Sequence, residues 1–449
     1  MRILLPLYRL RQAALLLVLT CPASFVLAQT ETEKEVPLAE KTAATWGLPS
    51  AFGARFSGFL VGSFSYNQRL QMVPEFAGGT AALSDPRSAN FRFDKFGLGV
   101  SKVFAPWLSA GAAVEIESHR DRHAHGFSPG FGCPGTATCI ERFGSEEAEI
   151  DVGLDKFNVT GIVPVGHGLS LSIGRFDLPF GLERHDEPLL LTATSSEVFL
   201  FGRPNKMTGF QASYTFAPWL DVNAWVVNRW EAEITHEDFN DNNRAKSVGG
   251  RIGFTPISRD GLLNIGAGGW VGPERDDDTD DERWVLDFDA TWNPTGRLLV
   301  AAEAVTGGED NVSFRRRGIP YADPAVVGQD VRWWGVSGLV HYDFADFFGL
   351  SFRYGRFKDR DGARTGVRQT LESFTFTPVF HLSRLIRDLG TTGATFARSR
   401  HPIDWVNLKL EYRLNRSDRN VFADEEPAVD VPEAARTGHQ LQLQLVVNF

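Results

Sequence analysis

The segment His439–Phe449 reads HQLQLQLVVNF and puts Leu441, Leu443, Leu445, Val447 and Phe449 on one side of an extended chain. Gln440, Gln442, Gln444 and Asn448 fall on the other side. Side chains of a β-strand alternate between two faces, so this stretch reads as a strand with one apolar face and one hydrated, amide-rich face. An apolar strand face has to be covered, and the nature of the cover limits the fold.

The same two-sided pattern recurs along the chain. Leu108, Ala110, Ala112, Val114 and Ile116 alternate with Ser109, Gly111, Glu115 and Glu117. Ala148, Ile150, Val152 and Leu154 alternate with Glu147, Glu149 and Asp151. Trp284, Leu286, Phe288 and Trp292 alternate with Arg283, Asp287, Asp289 and Thr291. Val406, Leu408, Leu410 and Tyr412 alternate with Asn407, Lys409, Glu411 and Arg413. Such charges are too costly for a dry core. One such strand would suit a soluble sheet. About sixteen of them, with no helix-period segment to cover them, leave lipid as the cover of the apolar faces. Strands are expected at 55–67, 89–104, 107–118, 146–161, 168–176, 208–217, 219–229 and 246–256. The second half continues with 261–271, 283–293, 296–306, 331–345, 347–358, 367–377, 403–414 and 438–449.

Connections alternate between tight and long. Phe104-Ala105-Pro106-Trp107-Leu108 recurs as Phe216-Ala217-Pro218-Trp219-Leu220, with a looser copy at Phe344-Ala345-Asp346-Phe347-Phe348. Proline turns the chain where no ladder hydrogen bond is needed, and the flanking aromatic rings suit a membrane interface. Breaks in the alternation near Asp94-Lys95 and Asp155-Lys156 predict β-bulges. The stretch 378–402 is long for the tight side; it is an inserted turn or a further hairpin, and His381 to Leu389 reads as a short helix.

Composition excludes several classes. The chain has 449 residues, is 43% hydrophobic and has a formal net charge of −10, which gives no support for nucleic-acid binding. Residues 1–28 read as a secretory signal peptide: Arg2, Arg9 and Arg11, then a short apolar run from Ala13 to Leu19, then a Val26-Leu27-Ala28 cleavage site. A lipoprotein signal through Cys21 is the alternative. Residues 29–54 read as a short periplasmic segment and 55–449 as one domain. Cys133 and Cys139, in GCPGTATC, are expected to form a loop disulfide after export, the rival being a metal or redox pair.

Residues 174–209 read GRFDLPFGLERHDEPLLLTATSSEVFLFGRPNKMTG. A strand ending in G-R-F, then P-F-G-x-E, a Ser/Thr stretch and a later Pro before T-G resembles bacterial outer-membrane β-barrel porins distantly akin to the phosphate-selective porins. Leu410 to Phe422, LEYRLNRSDRNVF, resembles the penultimate strand and loop of the same group, and the closing Phe449 its terminal strand. The resemblance implies an all-β fold: a transmembrane antiparallel barrel of about sixteen strands with short periplasmic turns and long outer loops. It also implies a Gram-negative outer membrane, contact with lipopolysaccharide and lipid, Phe449 as a signal to the barrel-assembly machinery, and assembly as a homotrimer. Small hydrophilic solutes or ions are the implied cargo. There is no run of Arg and Lys rungs of the kind phosphate selectivity needs.

The hydrated faces supply candidate pore-lining residues. Glu115, Glu117, Glu147, Glu149 and Asp151 form a negative patch, faced from other sectors by Arg251, Arg353, Lys409 and Arg413, with Asp287, Asp289 and Glu411 adding acid. The balance predicts mild cation preference. The long connection 177–207 carries apolar runs, Leu189-Leu190-Leu191 and Phe199-Leu200-Phe201, and is therefore expected to pack. Folded inward it would form a constriction with Asp177, Glu183, Arg184, His185, Asp186, Glu187, Arg203 and Lys206; folded outward it would cap the barrel. The acidic run Glu274–Glu282, the triplet Arg315-Arg316-Arg317 and the histidines His119, His123 and His125 read as solvated loops rather than metal or anion sites. No metal, no cofactor and no catalytic residue is expected; His185-Asp186 and Ser195-Ser196 have the residue types for a rim enzyme but not the context. A non-conducting structural or adhesion barrel is the alternative function.

Overall fold

In the computed structural model the alternating segments pair edge to edge until the sheet closes on itself. The structure describes residues 53–71, 89–121, 147–230, 241, 243–257, 262–275, 278–314, 326–388, 405–423 and 435–449. The signal peptide, most of the 29–54 segment, Cys133, Cys139, His123, His125 and Arg315 to Arg317 lie outside these residues. In chain order the strands begin with β1 (Ala54–Asn67), the two-residue β2 (Leu70–Gln71), β3 (Ala89–Ala105), β4 (Leu108–Asp121), β5 (Glu147–Val163) and β6 (Leu169–Asp177). Then come β7 (Lys206–Ala217), β8 (Leu220–Val227), β9 (Ser247–Ile257), β10 (Leu263–Pro273), β11 (Glu282–Trp292) and β12 (Leu298–Phe314). The last are β13 (Val326–Ala345), β14 (Phe348–Asp359), β15 (Gln369–His381), β16 (Val406–Ser417), the two-residue β17 (Phe422–Ala423) and β18 (Thr437–Asn448).

The sixteen long strands form one closed antiparallel barrel, each beside its neighbour in sequence, with β18 sealing the ring against β1. All sixteen coincide with the strands expected from alternation. Leu441, Leu443 and Leu445 point out while Gln440, Gln442 and Gln444 are buried inside. Phe449 completes the seam by exchanging backbone hydrogen bonds with Gly58, at 2.8 and 2.9 Å. Closure leaves none of the sixteen described barrel strands with an unpaired edge, which is what a sheet in hydrocarbon requires.

The tight ends match the repeated motifs. Ala105 pairs Leu108, Ala217 pairs Leu220 and Ala345 pairs Phe348, each across a two-residue turn. Trp107, Trp219 and Phe344 stay exposed at that end, as an aromatic girdle does. The expected bulges are present: the register skips Asp94 between β1 and β3, and Asp155 between β4 and β5. The stretch after β15 continues as helix α1 (Leu382–Asp388), with 389–404 outside the described residues.

Two features depart from expectation. β12 and β13 run beyond 306 and begin before 331, because pairing resumes after irregular steps at Glu309, Val312 and Phe314, with Asn311 in the left-handed region (φ 49°). The interior is also not uniformly polar. Trp225, Trp270, Trp333 and Phe357 point inward and pack with Phe180, Val198 and Phe201 from the segment joining β6 to β7. Trp225 shares its parity with Asp221 and Asn223, so its inward direction was legible; the apolar partner waiting inside was not.

β6 and β7 each carry a positive-φ glycine near where this joining segment leaves them. Gly174 and Gly209 face each other in register with φ of 139° and 158°. A Cβ on Gly174 would meet Phe157 O at 2.0 Å, and one on Gly209 would meet Val226 O at 2.5 Å. These are the glycines of the G-R-F and T-G motifs, and only glycine tolerates that backbone.

Candidate functional site

Residues 178–205 connect β6 to β7, yet their partners lie all round the ring. β14 stands directly across the barrel from β6. From β14, Arg353 Nη1 donates to Glu183 Oε1 (2.6 Å) and Thr192 Oγ1 (2.9 Å), and Ser351 Oγ donates to Leu191 O (2.8 Å). From β16, Arg413 donates to Glu197 Oε1 (2.6 Å) and Ser195 O (2.7 Å). Glu411 of the same strand accepts from Ala193 N (2.6 Å), and Lys409 donates to Glu187 O (3.0 Å) and Thr192 O (3.2 Å). From β12, Glu303 accepts from Arg203 Nε (2.7 Å) and Leu182 N (2.8 Å). Trp333 Nε1 of β13 donates to Gly202 O (3.0 Å). A segment held from both sides in this way lies within the ring. Its short turns, Glu187–Leu189 and Val198–Gly202, are stapled by these wall contacts.

The charged wall residues are therefore buried under the segment rather than open to water. Arg353, Arg413 and Glu411 are each 1% exposed. Burial raises the Glu197 carboxyl, but Arg413 and Arg353 outweigh it and hold the group below the ordinary carboxylate range.

On the near side, β3, β4 and β5 meet the turn 185–187. Lys95 Nζ lies 2.5 Å from His185 Nε2, 3.3 Å from Glu187 Oε1 and 3.6 Å from Glu115 Oε2, and contacts Glu117. Lys156 bridges Asp186 (2.7 Å) and Asp177 (2.8 Å), and Lys206 pairs with Asp155. Burial and Lys95 oppose a charge on His185, but the carboxylates of Glu115, at 3.6 Å, and Glu117, at 3.3 Å, push its pKa up to about 10. Burial, with Glu115 and Glu117 nearby, pushes the Glu187 carboxyl up despite Lys95.

The remaining candidates are spread more widely. Arg251 pairs with Asp289 (2.7 Å), with Asp221 at 3.8 Å. Asp287 is fully buried on β11. Arg184 donates to the carbonyls of Phe180, Gly181 and Glu183. Glu147, Glu149 and Asp151 lie on β5, with side chains outside the described residues.

The family described as "Putative beta-barrel porin-2, OmpL-like" matches residues 131–443. The chain belongs to that porin family. With the closed barrel, this makes it an outer-membrane protein of Gram-negative type. No curated protein sequence matches it. Among solved structures, the outer-membrane channel DcaP of Acinetobacter baumannii has a TM-score of 0.51 at 11% identity, covering 90% of this porin and 100% of that chain. OprB of Pseudomonas putida has a TM-score of 0.49 at 10% identity, covering 88% of this chain and 94% of its own. The anion-selective porin of Comamonas acidovorans gives 0.47 at 10%, covering 88% and 99%. The DcaP likeness is one of fold.

Sequence reasoning missed Lys95, Lys156, Glu197 and Glu303 in this porin. Lys95 and Lys156 each follow the extra residue of a bulge, which shifts the alternation and hides their inward direction. Glu303 alternates with Ala302 and Ala304 and was legible by parity.

Proposed function

We propose that this porin gives passive diffusion of small hydrophilic solutes or ions across the outer membrane, with segment 177–207 as its constriction. The observation that carries this is the grip of Arg353 and Arg413 on Glu183 and Glu197 from the wall opposite β6. A segment so held narrows whatever water path the barrel leaves. The long connections then face outward, towards lipopolysaccharide, and Phe449 lies at the periplasmic end for the assembly machinery. Water-filled barrels of this strand number are wide enough to need such narrowing.

Mild cation preference follows from the segment's own charge. It carries Asp177, Glu183, Asp186, Glu187 and Glu197 against Arg184, Arg203, Lys206 and a protonated His185. In planar bilayers under a KCl gradient, the reversal potential is expected to favour K⁺; a potential favouring Cl⁻ overturns the preference. A second reading is favoured by the burial of Arg353, Arg413 and Glu411 and by the inward tryptophans: a filled, non-conducting barrel acting through its outer loops. Protein that inserts into bilayers without current steps would support it.

The constriction should respond to acid. Glu197 has a depressed folded-state pKa, so its anchoring is fully present above the ordinary carboxylate pKa and is lost as pH falls through the folded value. Open-channel current is expected to be quiet at neutral pH and noisy in acid below the carboxylate range. Glu197→Gln is expected to be noisy at both. Equal noise in the wild type at both pH values contradicts this.

A further inference from the structure

The near wall gathers more negative charge than its lysines neutralise. Glu115, Glu117 and Glu187 converge on Lys95, with His185 as the one further cation facing Glu115 and Glu117 among the described residues. Lys156 and Lys206 beside them are taken up by Asp155, Asp177 and Asp186. Burying excess carboxylate charge is costly unless cations answer it. Glu115 makes the deficit plain. It is 1% exposed, and Lys95 and His185 meet its carboxylate only at 3.6 Å, beyond hydrogen-bond distance. Donor atoms of Glu115, Glu117 and His185 lie within 4.8 Å of one another. The Lys95 ammonium sits among these atoms, in contact with two carboxylates' worth of charge on β4 and with the imidazole nitrogen.

We propose that Glu115, Glu117 and His185 bind a divalent transition-metal ion, and that Lys95 is a tethered cation that the ion displaces. Two carboxylates and an imidazole form a donor set suited to Zn²⁺ and its neighbours in the first transition row. Mg²⁺ and Ca²⁺ prefer oxygen donors alone, so the imidazole discriminates against them. Glu187, already beside Lys95 Nζ, offers a further carboxylate. A divalent ion brings two charges and releases the His185 proton, a net gain of one positive charge, which is the direction the deficit demands. Lys95 sets the affinity: its own charge must be moved aside, so the site holds an ion weakly enough to release it. Binding depends only on the assembled barrel; its effect on current rests on the porin reading above.

The test is calorimetric titration of Zn²⁺, with Mg²⁺ as control, into detergent-purified full-length protein carrying no polyhistidine tag. Folding of each variant is checked by heat-modifiable electrophoretic mobility. Wild type is expected to bind Zn²⁺ at least about tenfold more tightly than Mg²⁺, and Lys95→Met to tighten Zn²⁺ by about tenfold. Glu115→Gln and His185→Ala are each expected to weaken it by about tenfold or more, the usual scale for losing one partner of a metal site. His185→Ala lies on the joining segment and leaves the wall strands intact, so it tests the site without threatening the barrel. Unchanged Zn²⁺ affinity in both Glu115→Gln and His185→Ala overturns the proposal, as does no binding by wild type and Lys95→Met alike. In bilayers, micromolar Zn²⁺ is expected to reduce K⁺ current in wild type and not in His185→Ala. Calorimetric binding without any channel current upholds the site and overturns the conduction reading alone.

Discussion

Deleting residues 185–200 is expected to raise single-channel conductance and to move the reversal potential towards anions. The deletion removes Asp186, Glu187 and Glu197 and no Lys or Arg. It strips Arg413 of Glu197 and Ser195 O, and Lys409 of both its carbonyl partners. Two wall cations and Glu411 thereby become open to water, while three acids and the His185 cation leave the interior, a net shift towards positive charge. Arg203–Glu303 remains as the anchor of the shortened connection, and β6 and β7 remain paired, so the ring keeps its full ladder. Both effects are read in one bilayer experiment. Higher conductance without a shift in selectivity would mean the wall cations are screened; unchanged conductance would mean the segment does not limit the path.

Glu303→Ala is expected to be the most damaging single substitution in the interior. Glu303 and Arg203 are both buried, 2.7 Å apart, and Glu303 also satisfies the Leu182 N–H. Removing one partner of a buried pair leaves the other charge stranded, at a cost of about 3–5 kcal/mol. Arg203 retains Glu183 O and Asn205 Oδ1, which are neutral and offset only part of that cost. Glu303→Gln keeps an acceptor in place and is expected to cost less. The comparison is made on the temperature at which the folded barrel loses its fast electrophoretic mobility. Equal temperatures for wild type and Glu303→Ala would show that this pair does not hold the segment.

The fold was legible because a lipid-facing wall imposes one rule on every strand. Alternation in β4, β11, β16 and β18 marks both faces without reference to any partner. Even its failures carried information, since the breaks at Asp94 and Asp155 became bulges. The interior was less legible because its contacts join residues far apart in the chain. Glu183 and Arg353 are 170 positions apart, and nothing in either local sequence names the other. The apolar runs at 189–191 and 199–201 did signal packing, and Phe199 and Phe201 are buried, while Leu189 is left 56% exposed. The pairing of β2 with β17, beside the seam, involves segments too short for any periodicity. Glu115, Glu117 and His185 were each visible as charged candidates, but only the fold brings wall and segment together.

The most direct test of the central claim, a closed wall around a water path narrowed from within, is single-channel recording of the unmodified, folded protein in planar bilayers. Discrete current steps that grow with KCl concentration are expected. Folded, inserted protein that passes no steps at any salt concentration would contradict the claim.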